Sequence, residues 1–232
     1  MDTYPQWIDI HGDDGKFGAY LAVPRSGKGP GILLIQEIFG VNAHIRSVAD
    51  QYAADGFVVL APDMFWRQQP RVELGYDEQD WARAAAFMQK ADVAKAQQDI
   101  AATAQALRAL PGVGPKIASV GYCWGGRMSY LAGANGHVDA AVAYYGGGIQ
   151  NCLDRADDIK VPLLMHFGGK DSHIPMDAVR SVAERFGIRE EVEIHVYPEA
   201  EHGFNCSHRS TYNQRAASEA HGHTLIFLSE NT

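Results

Sequence analysis

The chain has 232 residues, 46% of them hydrophobic and 21% charged, a balance that builds a folded core and excludes a disordered chain. Twenty basic against 28 acidic side chains leave a net charge of −8, which argues against nucleic acid or an anionic membrane surface as partner. A local arginine can still hold an anionic small molecule against that global charge.

Three cysteines at wide spacing, Cys123, Cys152 and Cys206, give neither a disulfide framework nor a zinc ribbon. Met1–Ile10 lacks a basic start followed by an apolar run, so no secretory leader is expected, and free thiols then suit the cytoplasm. No run reaches the ~18 apolar residues of a membrane span.

In chain order, Trp7–His11 and Gly18–Val23 alternate with period two around the turn-forming Gly12–Gly15, which predicts an antiparallel hairpin at a sheet edge. The pattern then changes. Gly31–Gln36 is a short apolar run, and Asn42–Asp55 has helical spacing with Asn42 as N-cap and Gly56 as stop. Phe57–Ala61 reads as a buried strand. Glu78–Lys90 and Asp92–Leu110 read as Ala-rich helices, Ile117–Tyr122 as a strand, and a helix is expected from Gly125. Ala140–Tyr145, Val161–Phe167 and Val192–Tyr197 complete the strands; Asp177–Phe186 and Thr211–Leu228 complete the helices. Strands alternating with helices predict a single α/β domain over 1–232, with a mostly parallel sheet and helices on both faces. In such sheets ligands bind beyond the carboxyl ends of the strands. That singles out Glu37, Asp63, Cys123, Gly146, Asp171 and His202.

Gly121-Tyr122-Cys123-Trp124-Gly125-Gly126 lies between a strand and a helix, as in the G-x-S-x-G nucleophile turn, with cysteine in the serine position. The turn is tight, and side chains at Gly121 and Gly125 would strike neighbouring backbone. The helix N-terminus beyond Cys123 favours thiolate over thiol. The N–H of Trp124 and that of Ile38, after the Gly31–Gln36 strand, are the candidate oxyanion donors. Taken alone, a G-x-C-x-G turn also fits a small buried residue. The chain order of two further residues decides between these: Asp171 ends a glycine turn after one strand, and His202 lies beyond the next strand, the sequence nucleophile, acid, histidine. Of the ten histidines, His166 and His195 lie inside strands, His173 follows Asp171 too closely to be its oriented partner, and His221 and His223 share no helix face. No metal set emerges from these spacings, and neither Gly146-Gly147-Gly148 nor Gly168-Gly169-Lys170 fits a phosphate loop.

Together with Gln36-Glu37-Ile38-Phe39-Gly40-Val41-Asn42, Tyr144-Tyr145-Gly146 and His202-Gly203-Phe204, these motifs resemble the dienelactone hydrolase (carboxymethylenebutenolidase) family over nearly the whole chain, and with it the α/β-hydrolase fold. The resemblance implies a Cys123–His202–Asp171 triad, a monomer, and a glutamate, Glu37, that holds the resting cysteine as a thiol until substrate displaces it. It also implies two arginines for a substrate carboxylate, but the matching positions carry Trp81 and Cys206; Arg83 and Arg209 lie nearby as substitutes. Trp81, Trp124, Phe39, Tyr144 and Tyr145 are the expected pocket lining. The reading is a hydrolase of small esters or enol-lactones acting through an acyl-cysteine and needing no metal or organic cofactor. A general carboxylesterase or thioesterase, or a non-catalytic binding protein on the same fold, are the alternatives.

Overall fold

The alternating segments at the start of the chain are β1 (Gln6–Gly12) and β2 (Gly15–Ala22), an antiparallel pair closed by Gly12 opposite Gly15. The computed structural model describes residues 6–187 and 189–232; the first half of the segment inspected for a leader, 1–5, lies outside the described residues. β2 runs antiparallel to β4 (Val58–Pro62), so the hairpin is joined to one edge of the sheet, as expected.

The remaining strands are β3 (Gly29–Ile35), β5 (Val113–Tyr122), β6 (Ala140–Tyr144), β7 (Leu163–Gly168) and β8 (Val192–Tyr197). The eight form one sheet in the order β1-β2-β4-β3-β5-β6-β7-β8, parallel from β4 to β8. Every residue of β4 and of β6 is buried, which is why both read as unbroken apolar runs. Helices α1 (Ala43–Ala54), α2 (Glu78–Lys90), α3 (Val93–Ala109), α4 (Trp124–Ala134), α5 (Met176–Phe186) and α6 (Gln214–Asn231) alternate with the strands. α3 packs against α4 and both lie on β5, while α1 and α6 meet through the rings of Tyr52 and His221. This is the α/β-hydrolase arrangement. β5 starts four residues before the expected Ile117, because Val113 pairs with Gly29 across an irregular register that apolar counting does not reveal.

Two hydrogen-bonded clamps hold the loop after β3, from which Glu37 and Ile38 project. Asp63, at the carboxyl end of β4, is buried; its carboxylate accepts the backbone N–H of Arg71 at 2.6 Å and of Phe65 at 3.1 Å, which folds the following loop back. That loop then docks on the β3 loop: Leu74 N–H donates to Phe39 O at 3.0 Å, and Gly40 bridges to Glu73. Asn42 caps α1 by accepting from Ile45 N at 3.2 Å and donates its amide to Leu74 O at 2.9 Å. Replacing Asp63 by alanine orphans two backbone donors, one of them deeply buried. Urea unfolding of Asp63→Ala should show a loss of about 2 kcal/mol or more.

Candidate active site

β5 ends at Tyr122 and α4 begins at Trp124, so the chain must reverse at a single residue. Cys123 does this at φ 56° and ψ −117°. Residues with a side chain seldom adopt such angles, and holding one there costs about 1–3 kcal/mol. The reversal brings β5 and α4 into near-contact. A Cβ at Gly121 would stand 1.9 Å from Gly125 O, and one at Gly125 would stand 2.3 Å from Gln36 O. Cys123 N–H donates to Tyr144 O at 3.0 Å, which ties the turn to the neighbouring strand.

Cys123 Sγ lies 3.1 Å from His202 Nε2, and His202 Nδ1 lies 2.7 Å from Asp171 Oδ2. The other Asp171 oxygen accepts the backbone N–H of His173 at 2.8 Å and of Ile174 at 3.0 Å, so the carboxylate is held on both sides. Asp171 follows β7, and His202 lies in the loop between β8 and α6. Those loops are joined by Gly169 N–H to Tyr197 O at 2.7 Å and Lys170 N–H to Ala200 O at 2.9 Å. Burial alone would push the His202 imidazole down. The charge on the Cys123 sulfur and the Asp171 hydrogen bond outweigh it and lift His202 to about 10. The ring therefore keeps a proton at neutral pH while facing the sulfur.

A cavity of about 460 Å³ opens over Cys123 and is lined by Ile38, Trp81, Trp124, His173 and His202 among others. The Ile38 and Trp124 amide N–H groups donate to no protein acceptor among the described residues. Trp81, Ala85 and Met88 supply one wall, at the spacing of a single face of α2.

Several expected lining residues lie elsewhere. Arg83 is two positions from Trp81, on the opposite side of α2; it pairs with Asp80 at 2.9 Å and is half exposed. Tyr144 is fully buried and its hydroxyl bonds Thr224 Oγ1 at 2.7 Å, while Tyr145 is buried against Phe204 and His202. Phe39 backs Trp81 edge-on, with ring centroids 4.9 Å apart. Cys206 is buried behind the cavity, where burial and the Glu37 charge push its thiol up to about 11. In each case strand alternation or chain order placed the residue at the right end of the sheet without saying whether the core would claim its side chain.

Glu37 also departs from expectation, since no hydrogen bond joins it to Cys123 among the described residues. Its buried carboxylate faces Arg209 Nη1 at 3.4 Å and Tyr76 OH at 3.4 Å. Arg209 lies beneath Trp81 and Tyr76, so it is buried and already paired. Glu37, His44 and Cys206 bring ligand atoms within 4.8 Å of one another, a donor set that sequence spacing did not suggest. Both ring nitrogens of His44 are buried without partners, and burial pushes this histidine down. The Arg209 guanidinium sets a positive charge against a cation there.

Sequence reasoning missed His173, whose ring packs 4.8 Å from that of His202, and Arg127, which also lines the cavity. Arg127 was findable: it stands four residues after Cys123, one turn along the same helix face.

Comparison with known proteins gives a consistent result. The dienelactone hydrolase family model matches residues 17–232. The carboxymethylenebutenolidase of Pseudomonas putida is 35% identical over 223 residues, covering 95% of this chain and 94% of that protein. The carboxymethylenebutenolidase 1 of Cupriavidus pinatubonensis is 32% identical over 215 residues, with 92% of each chain covered. A crystal structure of a candidate dienelactone hydrolase from Klebsiella pneumoniae superposes with a TM-score of 0.86 at 29% identity, covering 98% of both chains.

The elbow sets a stringent test of packing. Gly121→Ala would drive a methyl group into the Gly125 carbonyl, and the neighbour is backbone that cannot swing aside. A loss above about 3 kcal/mol in urea unfolding, or failure to accumulate as soluble protein, is the expected outcome.

Proposed function

The chain belongs to the dienelactone hydrolase family, and from that premise we propose that it cleaves small activated esters or enol-lactones through an acyl-cysteine formed on Cys123. The observation that carries the reading is the line of contacts from Cys123 Sγ to His202 and on to Asp171 at the carboxyl edge of the sheet.

The sulfur attacks the substrate carbonyl as a thiolate, its proton already on His202. The N–H groups of Ile38 and Trp124 take up the negative charge that develops on the carbonyl oxygen. Each such donor is typically worth about 3 kcal/mol in a water-excluded site. Acylation removes the charge on sulfur, and with it one of the interactions that hold the His202 proton. The ring can then hand that proton to the leaving alcohol or enol and become the neutral base that activates water against the thioester. Asp171 orients the ring through both steps. A thiolate is itself easily expelled from the tetrahedral intermediate, so acidic leaving groups such as enols and phenols suit this site better than simple alcohols.

The family resemblance makes Glu37 the partner of a resting sulfur turned away from His202. With the sulfur on His202, the carboxylate rests on Arg209 and Tyr76, which fits the displaced state of a gate. A broader carboxylesterase or thioesterase role draws support from the apolar wall of Trp81, Ala85 and Met88, which makes no demand for charge. Reduced thiols suit a cytoplasmic protein, and the reading needs only a monomer.

Cys123→Ala should lower kcat/KM for an enol-lactone or phenyl ester by at least ~10³-fold, and iodoacetamide should label Cys123 in the wild type more slowly when substrate is present. Full turnover by the alanine variant would sink the mechanism. The pH profile tests His202 separately. Its proton is present below about 10 and lost above it. kcat/KM should therefore fall as pH rises through that region. Asp171→Asn removes one interaction that retains the proton, so the falling limb should move to lower pH.

A further inference from the structure

We propose that Arg127 forms an anion subsite in the active cavity, and that the preferred substrate carries a carboxylate on its acyl group to pair with it. The proposal rests on the hydrolase reading of Cys123 and names the substrate class for it.

Arg127 lies one turn along α4 from Cys123 and lines the same cavity. Its Nε is buried without a partner, and among the described residues no protein group accepts a hydrogen bond from its guanidinium or lies within ion-pair distance. A half-buried guanidinium with no counter-ion has lost water contacts without replacing them. The other two arginines near the site are already satisfied, Arg83 by Asp80 and Arg209 by Glu37.

The loop after β6 is shaped around this side chain. Gly148 sits at φ +92°, and a Cβ there would stand 2.9 Å from Arg127 Nη1 and 3.1 Å from Cδ. Only a residue without a side chain leaves the guanidinium its place. Gln150, whose Oε1 is also buried and without a partner among the described residues, lines the same cavity. Its amide can turn its NH2 edge toward an anion. The planar fork of an arginine suits a carboxylate bidentately. A carbonyl at Cys123 and a carboxylate at Arg127, one helical turn away in the same cavity, are then spanned by one short acyl chain.

Monophenyl glutarate carries a free carboxylate on its acyl chain, and methyl phenyl glutarate is its neutral counterpart. The ratio of kcat/KM for the anion to that for the neutral ester should fall roughly tenfold to a hundredfold in Arg127→Gln. Arg127→Lys keeps the charge and most of the stem, so it should hold part of the preference and should fold even if the glutamine variant does not. Calorimetry on Cys123→Ala should detect glutarate binding that disappears when Arg127→Gln is added. A ratio unchanged in both variants, or glutarate binding that survives loss of the guanidinium, overturns the subsite. Turnover of neither ester by the wild type, with glutarate still bound through Arg127, would count against hydrolysis at Cys123 and in favour of the subsite.

Discussion

The close approach of β5 to α4 at Gly121 and Gly125 is the constraint on which the rest of the site depends. Backbone meets backbone there with no room for a methyl group, and the chain can turn only by forcing Cys123 to a positive φ. One steric fact thus sets three features at once. It raises the sulfur above the sheet, starts a helix immediately behind it, and leaves the Trp124 N–H at that helix's first turn without a protein acceptor among the described residues. The strain is local, and the hydrogen bond from Cys123 N–H to Tyr144 O together with the surrounding buried sheet over-determine it.

The second half of the arrangement is electrostatic. Asp171 is closed in by two backbone donors and His202, and the loops that carry acid and histidine are fastened to each other before either side chain is considered. The imidazole is consequently steered more by its neighbours than by its burial, which taken alone would strip its proton. Its affinity for that proton depends on whether the sulfur is charged.

How far the sequence disclosed this differs from residue to residue. The fold was legible because central strands such as β4 and β6 are unbroken apolar runs, the first two strands alternate, and the helices have periodic faces. Cys123, Asp171 and His202 were legible because each lies within a few residues of a strand's carboxyl end, where side chains meet above a parallel sheet. Tyr144, Phe39 and Cys206 were assigned to the pocket and belong to the core. Proximity to a motif places the backbone, while the packing of distant elements such as Thr224 on α6 decides where the ring goes. Arg83 failed for a simpler reason: two residues along a helix reverse the face. Arg127 could have been placed beside Cys123 from its spacing of one helical turn, but that its guanidinium has no partner among the described residues shows only once its neighbours are in place.

The contacts that complete the site join widely separated parts of the chain. Cys123 meets His202 across 79 residues, and Glu37 meets Arg209 across 172. On a ribosome Cys123 therefore emerges long before His202 does, and Glu37 waits longer still for Arg209. Closing such loops is entropically slow and comes late in folding. In a growing chain Cys123 thus stands apart from the imidazole, and the two meet only once β8 and the loop beyond it have joined the sheet.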